Sequence, residues 1–245
     1  ENELRKPSYQ CKTIVIGANT DPYQPAESKL KVTRSLLEVL HRYQHPVAII
    51  TKGSLVTRDI DLLSEMAQKN LARVAVSVTT LTPSLKQILE PRTSAPKARL
   101  RVIRQLSEAG ILVCVVAAPM IPMINDVELE EILKQAKLAG AIRAGYTFVR
   151  LPYEVKDLFK EWLATHYPDR AEHVMSIIRQ MRDGKEYDAT FGNRMRGTGE
   201  FAKLLSMRFK IACQRYQLNK TSTKSLATDL FIRPPKNSAQ ITMQF

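Results

Sequence analysis

Four chemically different side chains crowd one short stretch: Asn19, Thr20, Asp21 and Tyr23, set around Pro22 and Pro25. An amide, a hydroxyl, a carboxylate and a phenol so placed can hold a polar ligand or cap a turn. The prolines fix φ and withdraw backbone donors, so the apolar run Thr13-Ile14-Val15-Ile16-Gly17 cannot pass straight into a regular helix. Asn and Asp beside Pro are also ordinary turn formers, and both readings stand at this point. Asp21 and Glu27 offer a pair of carboxylates for acid/base work. Glu27 is equally placed in the first turn of the next helix, where its charge suits the helix dipole.

Other chemistries find no support in residue spacing. There is no His-x-x-His, Cys-x-x-Cys or His-Glu-x-x-His, so no protein metal site can be read. There is no Gly-x-Ser-x-Gly elbow, no Gly-x-Gly-x-x-Gly and no P-loop, in a chain with nine glycines. His41, His45, His166 and His173 fall on or beside helical stretches. Cys11, Cys114 and Cys213 are far apart and odd in number, which suits free thiols in a reducing cytosol. Cys114, in mid-strand, packs as a small apolar residue.

The elements that position the polar stretch alternate. Strands are expected at 12–18, 47–52, 72–80, 111–118 and 144–151, with helices at 29–43, 57–70, 96–109 and 126–138. A repeat of roughly 30–35 residues is the size of a βαβ unit and implies a parallel sheet. The fold class expected is therefore α/β. Without a nucleotide-binding glycine motif, a barrel-type sheet fits better than an open Rossmann sheet. Each strand delivers small or polar groups at its C-terminal end: Asn19-Thr20-Asp21, Thr51-Lys52, Ser77 and Thr79, Ala118-Pro119 running on to Asn125-Asp126, and Arg150. That end is the reaction face of such sheets. The inventory suits a zwitterion: a carboxylate on Lys52 and the Ser77 hydroxyl, an ammonium on Asp21 or carbonyls near Thr20. It is not a self-sufficient catalytic set, so a cofactor would bring the reactive part.

Helices are expected over 156–165, 170–181 and 199–218, with apolar stripes that face a core. The loop at 187–197 presents Arg194 and Arg196 to an anion, or is a solvated connector. The tail from Asn219 is expected to be extended. These breaks divide the chain into a barrel region at 1–152, a helical region at 153–218 and the tail at 219–245.

The formal net charge of +13 on 245 residues points to a polyanionic partner such as nucleic acid, or an anionic cofactor. No apolar run reaches the ~18 residues a membrane span needs, and no signal-peptide pattern opens the chain. A cytoplasmic protein is expected.

An ordered series of segments adds a resemblance. Thr20-Asp21-Pro22-Tyr23-Gln24-Pro25-Ala26-Glu27 is followed by Ile50-Thr51-Lys52, Val76-Ser77-Val78-Thr79-Thr80-Leu81 and Leu89-Glu90-Pro91-Arg92. Then come Ala118 to Asp126, Val149-Arg150-Leu151-Pro152, Leu158-Phe159 and Phe191 to Gly197. Together they resemble the radical S-adenosylmethionine (SAM) proteins related to spore photoproduct lyase. The resemblance implies a partial (β/α)6 TIM-type barrel with a C-terminal helical extension. It implies SAM and a 4Fe–4S cluster, with a 5′-deoxyadenosyl radical that abstracts hydrogen from substrate. Asn19, Thr20, Asp21, Lys52, Ser77 and Thr79 would hold SAM, and Ala118 to Asn125 would flank its adenosine. Tyr23, Arg150, Arg194 and Arg196 would serve the substrate.

Two departures accompany the resemblance. The Cys-x-x-x-Cys-x-x-Cys motif is absent, so the strands here are expected to be the second to sixth of the barrel. The chain alone is then expected to hold no cluster and not to turn over. Ala18 stands where photoproduct lyases carry a hydrogen-donating cysteine, and Met123 where the Pro-Gly-x-Asn-Asp turn has glycine. The alternatives are a non-catalytic basic α/β module that binds nucleic acid, and a self-contained barrel enzyme using Asp21 and Glu27.

Overall fold

A computed structural model describes residues 1–190, 193–220 and 225–235. Its centre is one sheet of five parallel strands in the order β1-β2-β3-β4-β5, an open partial barrel of the α/β class. The strands are β1 (Ile14–Ile16), β2 (Val47–Thr51), β3 (Ala72–Ser77), β4 (Leu112–Met120) and β5 (Arg143–Phe148). Around them run α1 (Asn2–Arg5), α2 (Glu27–Leu30), α3 (Val32–Arg42), α4 (Ile60–Gln68), α5 (Pro83–Leu89) and α6 (Pro96–Glu108). The remaining helices are α7 (Leu129–Leu138), α8 (Val155–His166), α9 (Ala171–Gln180), α10 (Asn193–Arg196) and α11 (Gly199–Arg215).

Strand alternation divides the sheet into two faces. Val47, Ile49, Val74, Val76, Val113, Val115 and Ala117 are buried on one. Val74 pairs with Ile49 and Val113, so these side chains form continuous rows under the helices. The opposite face carries Val15, Ile50, Arg73, Ala75, Cys114 and Val116, all half-buried or exposed. The core continues without interruption into Phe159 and Leu163 of α8, Val174 and Ile178 of α9 and Leu205 of α11.

Several boundaries depart from the sequence expectation, each for a local reason. The helix expected from Lys29 to Tyr43 breaks at Lys31, whose φ is 52°. The Glu27 carboxylate turns back to accept the Thr33 N–H at 3.1 Å and the Arg34 N–H at 3.4 Å, which caps α3. The helix expected from Thr57 opens as a 3-10 turn over Ser54–Asp59 and becomes α4 only at Ile60. Pairing of β3 stops at Ser77, and α5 is an element the sequence reading did not anticipate. β4 runs on to Met120, and Pro119 sits where its register with β5 shifts between Ala117 and Met120. A proline has no donor for the ladder, so an irregularity is where a strand can accept one.

Residues 225–233 fold back along the N-terminal ends of the strands. Ala227 N–H donates to Asn70 O and Ile232 N–H to Tyr43 O, both at 2.9 Å, and Leu226 is buried. The expected tail segment Ile241-Thr242-Met243-Gln244-Phe245 lies outside the described residues, as do Phe191, Gly192 and residues 221–224. No helix among the described residues is long and apolar enough to cross a membrane.

Candidate active-site cavity

The corner after β1 depends on Gly17. Its φ is +93°, and a Cβ there would stand 2.0 Å from the Ile50 carbonyl oxygen. Only glycine permits both the conformation and the approach of β1 to β2. The chain then turns at Asp21, whose carboxylate braces the next strand. Oδ1 accepts from Tyr23 N–H at 2.9 Å and Thr51 Oγ1 at 2.7 Å, and Oδ2 accepts from Lys52 N–H at 2.7 Å. Tyr23 is buried and donates its hydroxyl to Asp59 Oδ2 at 3.1 Å. Burial, then the Asp59 carboxylate, push its phenol well above the ordinary tyrosine value. Tyr23 therefore anchors the corner beneath the surface.

The acid/base reading of Asp21 with Glu27 is not what the fold builds. Glu27 accepts from Arg58 Nη2 at 2.8 Å as well as from the α3 backbone. Burial raises its carboxyl, but the Arg58 bond and the α3 amides outweigh that and hold it below the usual range. Both carboxylates are spent on backbone corners, and only Asp21 faces the cavity.

β2 delivers Lys52, whose ammonium pairs with the buried carboxylate of Glu90. Glu90 also receives Arg99 Nη2 at 2.6 Å and lies 3.0 Å from Thr79 Oγ1. Arg99, 2% exposed, donates from Nη1 to Ser77 O at 3.0 Å and from Nε to Ser94 O at 2.9 Å. Burial would raise the Glu90 carboxyl, but the charges of Arg99 and Lys52 hold it below the usual range. The strand-end residues of β2 and β3 thus share one ion network.

Ser77 Oγ donates to Ala118 O at 2.9 Å, and Thr79 Oγ1 reaches the same carbonyl at 2.8 Å. The Ser77 proton is spent there, so its oxygen faces a ligand as an acceptor. The sequence reading set this hydroxyl against a carboxylate; with its proton on Ala118 O it offers an acceptor. Asn125 is fully buried. It donates to Thr79 O at 2.7 Å and Pro119 O at 2.9 Å, and accepts from Ile121 N–H at 2.7 Å. Its amide ties the loop after β4 to the end of β3.

These ends surround a cavity of about 460 Å³. Six of the residues expected at a ligand site line it: Asn19, Asp21, Lys52, Ser77, Ala118 and Arg150. Gly17, Ala18, Ile50, Thr51, Val116, Thr147 and Met195 complete the wall. Thr20, Tyr23, Thr79, Asn125, Arg194 and Arg196 do not line it. Tyr23 borders a neighbouring groove with Lys52 and Arg92, and Arg196 borders one along α11 with Lys203 and Lys210. The sequence reading missed Arg99, Thr147, Met195 and Arg182. For Arg99 a signal was present, since it stands on the same helical stripe as the buried Val102, Ile103 and Leu106.

A family model described as the radical SAM superfamily matches residues 2–136. The chain belongs to the radical SAM superfamily. It is 34% identical over 181 residues to an uncharacterized protein of Mycobacterium tuberculosis, which covers 73% of this chain and 53% of that protein. An uncharacterized protein of Acidianus two-tailed virus is 37% identical over 132 residues, covering 52% of this chain and 42% of the viral protein. The chain thus spans about half the length of these relatives. Among solved structures, a mutant spore photoproduct lyase with bound AdoMet and dinucleoside spore photoproduct has a TM-score of 0.56 at 15% identity. That match covers 84% of this chain and 59% of the lyase. A second lyase mutant matches with a TM-score of 0.55 at 15% identity, covering 85% of this chain and 59% of that one. Radical SAM membership and a spore-photoproduct-lyase-like partial barrel are thus in hand.

Proposed function

We propose that this chain forms the SAM-holding part of a radical SAM enzyme, with the cofactor in the cavity at the C-terminal ends of β1 to β5. The observation that carries this reading is the donor set of that cavity in a chain of this superfamily. Lys52 presents N–H donors, Ser77 an oxygen acceptor, and Asp21 and Asn19 stand beside them. A zwitterion needs such a split set, a donor for its carboxylate and an acceptor for its ammonium. The volume is within the ~300–1,000 Å³ typical of small-molecule sites. In this family SAM supplies, beside a reduced 4Fe–4S cluster, a carbon-centred radical that abstracts hydrogen from a substrate.

The residues of this chain bind and orient. Lys52 holds the carboxylate while Glu90 fixes the ammonium in place. Ser77, its proton engaged by Ala118, receives the amino group. Ala118 and the loop clamped by Asn125 shape the wall for the adenosine. The thiols do not fit the cluster: Cys11 precedes β1, Cys114 is in β4 and Cys213 is in α11. Burial pushes both the Cys114 and Cys213 thiols up to about 11, away from the thiolate that iron requires.

The test is direct binding of SAM, by calorimetry, to the wild-type chain and to Lys52→Gln. Loss of a charge-assisted hydrogen bond worth about 1.5–3 kcal/mol should weaken SAM by about 10- to 150-fold. A wild-type chain that does not bind SAM, or a Lys52→Gln variant that binds it as well as wild type, would overturn the assignment.

A further inference from the structure

Two arginines at the β5 side of the cavity take no part in the chemistry above. Arg150 lines the wall, and its Nη2 donates to the Tyr187 hydroxyl at 3.3 Å. Its Nε is buried without a hydrogen-bond partner. Arg182, 4% exposed, follows the end of α9. It donates from Nη1 to Glu186 O at 2.9 Å and from Nη2 to Val149 O, and its Nε is likewise buried without a partner. Val149 and Glu186 immediately precede Arg150 and Tyr187. Arg182 therefore clamps together the two backbones that carry the cavity-side pair.

Neither guanidinium has a carboxylate in an ion pair among the described residues. The other buried arginine, Arg99, does have one, in Glu90. Asp188 acts on Arg182 only through space, and its Oδ1 accepts from Thr190 N–H at 2.8 Å. A buried charge without a partner costs several kcal/mol, and the fold normally supplies a counter-ion. Here Arg150, with no carboxylate in salt-bridge contact among the described residues, borders an open cavity, so its counter-ion is one that can arrive from outside. The Arg150 guanidinium matches the charge and the fork geometry of a phosphate group, while both Arg182 terminal nitrogens are engaged by backbone carbonyls. Lys52, just after β2, and Arg150, after β5, are separated by three strand spacings of about 4.8 Å each, which leaves room for a second ligand group.

We propose that this corner is an oxyanion site that takes a phosphate group of the substrate, with Arg150 in contact and Arg182 as a positioning residue. Assigning the anion to substrate rests on the SAM reading of the cavity; the existence of the anion site does not. Arg196, exposed on the rim of the adjoining α11 groove, adds positive charge nearby.

The experiment is titration of the full chain, at constant ionic strength, with inorganic phosphate, adenosine 5′-monophosphate and a hexameric oligothymidylate. Tighter binding of the mononucleotide supports a phosphomonoester source, and tighter binding of the oligonucleotide supports a nucleic-acid phosphodiester. Arg150→Gln should weaken the best of these at least tenfold, Arg150→Lys less, and the surface variant Lys134→Gln not at all. In the wild-type protein the best probe should also protect Arg150 from phenylglyoxal, read by peptide mass, which requires no variant to fold. A chain that binds none of the three, an Arg150→Gln variant that binds them unchanged, or absence of protection would overturn the proposal. SAM binding is measured alongside. Phosphate binding without SAM binding would overturn the cofactor reading alone, and SAM binding without phosphate binding would overturn this one alone.

Discussion

Glu90 concentrates more of the cavity's order than any residue that lines it. Its side chain is 7% exposed, and it holds Lys52 from one side and Arg99 from the other. Arg99 in turn fixes the carbonyl of Ser77. Replacing Glu90 by Gln leaves the Arg99 guanidinium buried without a counter-charge. Such losses cost about 3–5 kcal/mol, so urea unfolding of Glu90→Gln should show a destabilisation of that order. The sign with pH follows from the same pair. The carboxyl is held below its ordinary value of 4.5 in the folded chain. Its contribution is therefore present above pH 4.5 and is lost as pH falls through the folded value. Glu90→Gln should flatten the acid limb of the stability curve; an unchanged limb would argue against the network.

At the scale of elements, a second polar centre sits at the N-terminal ends of the strands. His45, fully buried just before β2, has Nδ1 3.1 Å from Pro46 O and Nε2 2.7 Å from the Tyr9 hydroxyl. A carbonyl can only accept, so Nδ1 carries the proton and Nε2 accepts from tyrosine. Phe231 packs edge-on against the ring at 5.3 Å. Burial lowers the His45 pKa below its ordinary 6.5. The unfolded chain therefore binds the extra proton first, and stability should fall as pH drops below 6.5, by at most about 1.4 kcal/mol per pH unit from this group. Melting of His45→Phe between pH 7 and 5 should lack that component.

Strand and helix alternation made the sheet legible, because periodic burial writes itself into side-chain type. The C-terminal strand ends were legible as well, since polar groups there interrupt apolar runs. What stayed hidden was pairing across sequence. Nothing near Thr20 or Tyr23 distinguishes a cavity wall from a buried anchor, and only the fold turns Tyr23 inward to Asp59. Glu90 has no periodic context of its own. Arg99 and Arg182 did leave a trace, as cations continuing the apolar stripes of α6 and α9. A charged residue on such a stripe asks for a partner, and among the described residues Arg99 has a carboxylate in salt-bridge contact, Glu90, while Arg182 has none.

For the whole molecule, residues 225–233 meet the N-terminal residues beneath the sheet. Arg233 Nη2 donates to Tyr9 O at 3.1 Å, and Nη1 to Lys6 O. Asn70 Nδ2 donates to Ser225 O at 2.9 Å, and Leu226 is 4% exposed. Asn219, which bonds Ala144 N–H at 3.0 Å and Ala144 O at 3.1 Å, holds the segment to the outer edge of β5 before it departs. This strap touches the end of the barrel opposite Lys52, Ser77 and Arg150, so its contribution should be to stability and not to ligand affinity. Ending the chain after Lys220 would expose the apolar floor under Leu226, worth about 1.5–3 kcal/mol for that side chain alone. It would also strip Phe231 from His45. With about 2–4 °C of melting temperature per kcal/mol in a chain of this size, the truncated protein should melt about 5–10 °C lower. SAM and phosphate affinities, measured below the new transition, should stay within about twofold of the full chain, since distant independent sites add to within about 0.5 kcal/mol. A truncation that left the melting temperature unchanged would show the strap to be ornamental. One that abolished ligand binding in a folded protein would couple the two ends of the barrel through the strands, a connection that the separation of the two polar centres argues against.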